Sequence, residues 1–292
     1  MSSIWSDYVQ KTGTLYLSRQ LRFHDIFRSK FTEAFSFQED EKLRILEVGC
    51  GPGALLQSLH RWYPNAEMTG LDFDENFISF AKKEAPELDY IVGDATAMPF
   101  VSESFDVTIS NTVSEHIEPE KFYREQYRVL KKGGICLVLS TRRGINLPSP
   151  ITTEMTALES EVWGRVEARF KKFDKDIGVG KYIQNETENI KNMEKFGFRD
   201  ISTDYIAINL TPDDPKYPRE IAVAMINDMR QDKLDGLDFL REKAADVVSD
   251  AEINEMERTI NETFDNRIAL YVGNKKQWDV QVILIMVLRG VK

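Results

Sequence analysis

The run Ile45-Leu46-Glu47-Val48-Gly49-Cys50-Gly51-Pro52-Gly53 constrains this chain more than any other segment. The apolar residues before Gly49 suit a strand covered on both faces, as strands of parallel sheets are. That strand carries a carboxylate near its end and runs into a glycine-rich turn, beyond which 54–62 reads as a helix. Glycine lets backbone approach a ligand more closely than any side chain would permit. A helix N-terminus just behind it offers free N–H groups to an electron-rich ligand. In an α/β sheet, this first strand-to-helix turn lies where nucleotide-like ligands bind.

The pattern continues downstream. Strands are expected over 43–48, 67–72, 89–92, 105–110 and 134–140, with helices over 53–63, 75–84 and 119–130. Pro64-Asn65, Ala85-Pro86 and Lys132-Gly133-Gly134 punctuate the helix ends. Strands alternating with helices imply a parallel sheet with right-handed crossovers.

The glycine run strongly resembles motif I (E/D-x-G-x-G-x-G) of the class I S-adenosylmethionine-dependent methyltransferases, and four more pieces follow in that family's order. Met68-Thr69-Gly70-Leu71-Asp72 resembles the second strand ending in an acid, and Val92-Gly93-Asp94-Ala95 the third. Ser104-Phe105-Asp106-Val107-Thr108-Ile109-Ser110-Asn111 resembles the fourth strand. Arg128-Val129-Leu130-Lys131-Lys132-Gly133-Gly134 resembles the turn before the fifth. The pieces cover roughly the first half of the chain, and the likeness is to the small-molecule "type 11" group. It implies an α/β fold with a doubly wound, seven-stranded, mostly parallel Rossmann-like sheet whose last strand is antiparallel. It also implies an enzyme that uses S-adenosyl-L-methionine and releases S-adenosyl-L-homocysteine.

A glycine loop alone would leave two readings open. Gly49-Cys50-Gly51-Pro52-Gly53-Ala54 also fits the dinucleotide pattern G-x-G-x-x-G/A, with Asp72 about 20 residues on, where an NAD-binding acid is expected. Three features favour S-adenosylmethionine. Glu47 precedes the first glycine by two residues, Gly53 adds a third point of close approach, and Asp94-Ala95 supplies an adenine-edge contact. The rivals are an NAD-dependent oxidoreductase and a non-catalytic binding or dimerisation protein on the same fold.

The resemblance assigns roles residue by residue. Gly49, Cys50, Gly51 and Gly53 form the loop along the methionine portion, and Glu47 lies near its ammonium. Asp72 accepts from the ribose hydroxyls, since one carboxylate can take two hydrogen bonds. Phe73 lies against adenine, Asp94 and Ala95 address its edge, and Asn111 faces the methionine moiety near the methyl. His116, in Ser114-Glu115-His116-Ile117, is a candidate general base because its ordinary pKa lies near working pH. Glu-His-Ile is also a common variant of this family with a structural look. Methyl transfer from a sulfonium mainly needs alignment and exclusion of water. No metal is expected: His24, His60 and His116 lack paired-ligand spacing.

The formal net charge is −10 and there is no dense Lys/Arg tract. A phosphate-backbone binder usually presents a basic face, so no nucleic-acid partner is expected. Ser110-Asn111-Thr112-Val113 also lacks the N/D-P-P-Y/F signature of base-methylating relatives. The longest apolar run, 282–288, is too short to span a bilayer. The first seven residues show no basic stretch before an apolar run, and Cys50 and Cys136 suggest no disulfide framework. A cytoplasmic location with no membrane partner is the expectation.

The flanks are less regular. Residues 1–40 read as a helical cap broken at Gly13, with Tyr16, Arg19 and Arg22 resembling the Tyr/Arg-bearing cap helix of related small-molecule methyltransferases. The arginines either meet a carboxylate of acceptor or cofactor, or sit on a solvated face. Trp5, Tyr8 and Trp163 are either an acceptor wall or core packing. After the turn-rich 141–150, helices are expected over 152–169 and 186–196, then a sixth strand over 201–209. Where the family has a short loop, some 60 residues of helical pattern follow, with apolar stretches at 221–229, 237–248 and 253–268. The last strand is expected over 278–288. The organisation is therefore a cap (1–40), a cofactor-binding core (41–210 and 276–292), and helical insertions (141–185 and 211–275). The insertions act either as an acceptor lid or as a homodimer surface. The partner expected is a small-molecule acceptor methylated at O, N or C.

Overall fold

In the computed structural model, residues 5–38, 40–142 and 152–292 are described, the Tyr8 side chain excepted. Of the turn-forming stretch expected over 141–150, residues 143–150 lie outside the described residues. The chain divides into two units: 1–145, 178–208 and 283–292 form the first, and 146–177 with 209–282 the second.

The first unit holds the sheet. Its strands are β1 (Arg44–Val48), β2 (Glu67–Asp72), β3 (Asp89–Val92), β4 (Phe105–Asn111), β5 (Leu130–Thr141), β6 (Arg199–Leu210) and β7 (Gln281–Val291). They run in the order β3-β2-β1-β4-β5-β7-β6. β1 to β5 pair in parallel, whereas β7 is antiparallel to β5, with Val138 opposite Leu288. The expected sheet and its reversed last strand are therefore present. The reversal of order at β1/β4 is the switch point at which α/β sheets bind ligands.

Helices α1 (Thr12–Arg22), α2 (Arg28–Phe35), α3 (Ala54–Trp62), α4 (Glu75–Glu84), α5 (Pro119–Val129) and α7 (Glu186–Lys195) accompany this sheet. α5 takes Pro119 at its first position, where the missing N–H costs nothing. α7 is closed by a capping box between Asn185 and Glu188. Leu46, Val48, Leu71, Phe105, Phe122, Val129, Met286 and Leu288 share one buried core. Fully burying such a side chain is worth about 1.5–3 kcal/mol, so this core outweighs any single polar contact at the strand ends.

The N-terminal segment is pinned by one buried carboxylate. Asp74, 1% exposed, caps α4 by accepting from the Asn76 and Phe77 N–H groups. It also accepts from the Ser6 backbone N–H (2.9 Å) and Oγ (3.0 Å). The single π-type turn over Trp5–Val9 is thereby tied to the start of α4. Gly13 does not separate two helices as expected. It lies inside the first turn of α1, and the breaks fall at 10–11 and 23–27 instead. Glycine is tolerated there because an opening turn is only partly hydrogen-bonded.

The second unit is helical: α6 (Ala157–Ile177), α8 (Arg219–Lys243) and α9 (Asp250–Val272). Its core comprises Val162, Val166, Ile226, Leu237, Leu240, Met256, Ile260 and Phe264. The apolar stretches at 221–229 and 237–248 lie on one helix as far as Lys243. Gly236 sits within α8 because a Cβ there would meet the Trp163 ring at 3.0 Å. Trp163 is accordingly a packing residue between α6 and α8. Arg267, fully buried, donates to Asp213 and Asp279. Asp213 also accepts from the Gln277 and Trp278 N–H groups, and Asp279 from Thr152. This network fixes 276–279 as irregular chain, so β7 begins at Gln281 rather than at 278. α6 likewise starts later than 152, because Thr156 rather than an earlier residue exchanges cap hydrogen bonds with Glu159, and it runs on to Ile177 rather than to 169.

Candidate active site

Parallel pairing sets the ends of β1, β2, β3 and β4 on one side of the sheet. Glu47, Asp72 and Asn111 lie at those ends, with Asp94 two residues past β3. The glycine loop fills the gap between β1 and α3. Its Gly49 and Cys50 N–H groups both donate to Leu71 O (2.7 and 3.0 Å), which folds the turn against β2. Gly49 (φ 70°) and Gly53 (φ 87°) hold left-handed backbone that a side chain disfavours. A Cβ on Gly49 would fall 2.4 Å from Val113 Cγ2, and one on Gly53 would fall 2.7 Å from the Tyr90 hydroxyl. Gly51 (φ 53°) donates its N–H to Asp72 Oδ2 at 2.8 Å.

The two acids at the centre differ in how they are satisfied. Asp72 accepts from Gly51 through Oδ2 and from the Asp74 N–H through Oδ1 at 2.9 Å. Each oxygen retains a second lone pair. Burial nevertheless raises its pKa to about 6. Glu47 is 2% exposed, and its Oε2 is buried without a hydrogen-bond partner among the described residues. Burial, and then the neighbouring Asp72 charge, lift its carboxyl well above the usual range; the Leu56 N–H at the start of α3 and the Arg19 charge act the other way. A buried carboxylate oxygen with no donor costs roughly 1–3 kcal/mol or more. Asn111, 8% exposed, also leaves Oδ1 buried and unpartnered among the described residues. These two acceptors fit a ligand that brings a charged N–H donor between β1 and β4.

Toward β3 the site opens. Phe73 is 43% exposed, an unusual position for a large aromatic ring, and fits a flat ligand surface. Asp94 Oδ1 is used locally, accepting from the Thr96 N–H (2.7 Å) and Oγ1 (2.8 Å). That turn orients the carboxylate, whose Oδ2 makes no hydrogen bond among the described residues. Ala95 is buried beside it. Burial, then the charges of Asp72 and Glu47, push the Cys50 thiol well up, so it stays protonated and unreactive.

His116 lies in the loop beyond β4, with its ring edge-on to Trp5 at a centroid separation of 4.6 Å. Its Nδ1 accepts from the Gly180 N–H at 2.9 Å. In the neutral tautomer this bond requires, the proton sits on Nε2. The geometry therefore gives His116 a donor at Nε2 rather than a lone pair. The same loop receives Tyr182 N–H at Glu115 O (2.8 Å), so 180–182 is laid along 115–116.

Three contributors were not singled out from sequence. Thr112 adopts left-handed backbone (φ 55°), a strained state for a β-branched residue that recurs at functional sites. Thr141 ends β5 and accepts from Arg22. Asp74 anchors the N-terminal segment. Only Asp74 carried a readable signal, as an N-cap aspartate before Glu75-Asn76-Phe77. Tyr16, singled out with the cap arginines, donates to Gln57 Oε1 on α3 at 2.8 Å.

A separate groove of about 420 Å³ lies toward the amino ends of β1–β4, lined among others by Arg44, Thr69, Asp89 and Phe105. Glu47, Asp72, Asp94 and Asn111 do not line it, so it plays no part in this site. Among the described residues no group of three or more His, Cys, Asp or Glu side chains could hold a metal ion. No described helix is long and apolar enough to cross a membrane.

The sheet order, the glycine loop and the acids at three neighbouring strand ends are the features expected of a class I S-adenosylmethionine-dependent methyltransferase fold. Comparison with known proteins agrees: residues 46–138 match the methyltransferase domain family. A fatty-acid O-methyltransferase of Mycolicibacterium smegmatis is 36% identical over 112 residues, which is 37% of this chain and 40% of that protein. A ubiquinone/menaquinone biosynthesis C-methyltransferase of Desulfotalea psychrophila is 36% identical over 101 residues, covering 34% and 41%. The matched part thus spans about two fifths of these curated relatives. Among solved structures, Haemonchus contortus phosphoethanolamine N-methyltransferase 2 in complex with S-adenosyl-L-methionine aligns with a TM-score of 0.57. It does so at 18% identity over 100% of this chain and 60% of that one, a likeness of fold.

Proposed function

We propose that this protein is an S-adenosylmethionine-dependent methyltransferase acting on an O, N or C nucleophile of a small-molecule acceptor. The observation that carries the reading is the buried, unpartnered Oε2 of Glu47 at the end of β1, in line with Asp72 and Asn111. The names of the curated relatives, a fatty-acid O-methyltransferase and a ubiquinone/menaquinone biosynthesis C-methyltransferase, support a small-molecule acceptor.

When bound, S-adenosylmethionine supplies a methyl carbon already activated by the sulfonium charge. The protein's own residues then have four tasks. Glu47, with Asn111 beside it, accepts from the ammonium and fixes the methionine end between β1 and β4. Asp72 accepts from the ribose hydroxyls while its backbone donors keep it aligned. Phe73 packs on the adenine face, and Asp94 with the Ala95 N–H addresses its edge. Gly49 and Gly53 present backbone where a Cβ would strike Val113 and Tyr90 respectively. Such positioning supplies most of the acceleration available to an in-line displacement. The bound group would supply that methyl to an aligned acceptor, the electron pair of the breaking carbon–sulfur bond staying with sulfur. An acceptor proton leaves to water or to a base. With Nδ1 accepting from Gly180 and its proton on Nε2, neutral His116 has no lone pair for that proton, and its part is to hold 180–182 along 115–116.

The helical insertions at 141–185 and 211–275 are assigned, on the same reading, to acceptor selection rather than to cofactor binding. Two buried free cysteines support a reducing, cytoplasmic setting. Calorimetric titration of the full chain with S-adenosylhomocysteine tests the cofactor reading, with binding in the micromolar range expected. No heat at millimolar ligand would remove it. Transfer of labelled methyl to a metabolite extract, expected here, separates an enzyme from a silent binding protein.

A further inference from the structure

Residues two apart on a strand share a face of the sheet. On β4, Val107, Ile109 and Asn111 therefore point one way, and the parallel register puts Glu47 of β1 on that side by pairing it with Ile109. Thr108 and Ser110 point the other way, with Val48 and Val138. Continued as strand, Val113 would follow Asn111. It does the reverse: Val113 packs against the core that holds Val48, Cys136 and Val138. The residue between them, Thr112, has φ 55°, and this left-handed step breaks the alternation.

Left-handed backbone is disfavoured for an L-residue, and a β-branched one is an outlier there. Glycine would take the same conformation without strain. What threonine adds is a hydroxyl with two uses. Thr112 Oγ1 donates to the Asn111 carbonyl at 2.7 Å and accepts from the Arg19 guanidinium at 3.4 Å. The Thr112 N–H donates to Leu139 O on β5 at 2.9 Å. The 111–112 peptide is thus held at both ends, at its oxygen by the hydroxyl and at its nitrogen by β5. On one side of it, Asn111 keeps a buried Oδ1 without a partner among the described residues. On the other, Val113 Cγ2 fills the space that a Cβ on Gly49 would need.

We propose that Thr112 is a positioning residue for methyl transfer: its hydroxyl locks the left-handed step after β4, and that step aims Asn111 at the methyl donor while seating Val113 on Gly49. This rests on the methyltransferase reading and adds to that site a group that acts through its two neighbours. A rotation of the 111–112 peptide would move Asn111 and Val113 together, on opposite faces of the sheet. In-line displacement is sensitive to such errors, since a misplacement of about 1 Å costs about a hundredfold in rate. Affinity for the demethylated product depends less on this alignment, because the ammonium, ribose and adenine contacts are assigned to Glu47, Asp72, Phe73 and Asp94.

The experiment uses the full chain and S-adenosylmethionine labelled with carbon-13 in its methyl group, whose resonance in the complex reports the methyl's surroundings. Thr112→Val keeps the branched shape and removes the hydroxyl. Thr112→Gly also lacks the hydroxyl but fits left-handed backbone without strain. Thr112→Ser keeps the hydroxyl. Thr112→Val and Thr112→Gly are expected to displace the bound methyl resonance by more than its linewidth. Their affinity for S-adenosylhomocysteine, read by calorimetry, is expected to stay within about threefold of native, because alignment acts on the transition state rather than on product binding. Transfer of labelled methyl into a metabolite extract should fall about tenfold to a hundredfold in both. Thr112→Ser is expected to restore the native resonance and the transfer. The proposal is overturned if Thr112→Val and Thr112→Gly give the native resonance. It is overturned equally if they lose S-adenosylhomocysteine affinity as steeply as transfer, or if Thr112→Ser fails to restore the signal. Should Thr112→Val fail to fold, Thr112→Gly decides. If the native chain binds neither S-adenosylmethionine nor S-adenosylhomocysteine, the methyltransferase reading falls and this role with it, a result distinct from variants that bind and give the native resonance.

Discussion

Asp72 offers a quantitative test, because its pKa of about 6 in the free protein lies far above that of an unfolded aspartate. The raised value comes from burial, only partly offset by the Gly51 and Asp74 N–H donors. Between about pH 4 and pH 6 the folded chain binds a proton here that the unfolded chain has already released. Stability therefore falls as pH rises through that window and is flat above it. A gap of about two pKa units corresponds to about 2–3 kcal/mol, the lower end allowing for the partial exposure of Asp72. A ligand whose hydroxyls donate to Asp72 reverses the shift by favouring the ionised form. At pH 6 the free carboxyl is about half protonated, so binding S-adenosylhomocysteine should expel about half a proton there, about a tenth at pH 7, and almost none at pH 8. Glu47 is shifted in the same direction and adds to the release. Affinity should fall about tenfold between pH 7 and pH 5 from Asp72 alone. Calorimetry in buffers of different ionisation enthalpy reads the proton count directly. A release at pH 6 no greater than at pH 8, or one unchanged by Asp72→Asn, would refute the reasoning.

Other expectations follow from single residues. Glu47→Gln removes a buried charge, so at pH 8 the ligand-free protein should melt higher while its affinity for S-adenosylhomocysteine drops about tenfold or more. If both change in the same direction, Glu47 does not hold the ammonium. Gly49→Ala combines left-handed backbone with the clash against Val113 and should cost about 2–4 kcal/mol in urea unfolding. A cost under about 0.5 kcal/mol, the scale of a neutral surface change, would mean the loop can shift. Arg267→Met strands Asp213 and Asp279 without their cation and should destabilise the helical unit by about 3–5 kcal/mol. Circular dichroism of that variant should show a lower melting transition, and an unchanged one would make the buried network dispensable.

The sequence by itself determined the sheet and the acids at its strand ends. Alternating apolar strands and amphipathic helices, punctuated by glycine and proline, leave few topologies, and the glycine run fixes which turn faces the ligand. Both follow from local rules that each residue satisfies within a few neighbours. The tertiary structure decided what depends on distant partners. The Glu47 Oε2 is left without a partner among the described residues where β1 lies enclosed between β2 and β4. The Nδ1 of His116 is taken by Gly180, 64 positions away in the chain. The start of β7 is set by Arg267 gathering Asp213 and Asp279. The 221–248 pattern read as separate apolar stretches because its apolar residues cluster. Burial of Leu237 and Leu240 beside Ile226 made one helix of it as far as Lys243. Thr112 stands at the same boundary. Its place after β4 is written in the chain, but its hydroxyl meets Arg19 only when α1 and the sheet assemble, because a contact between residues 93 positions apart is a property of the tertiary structure.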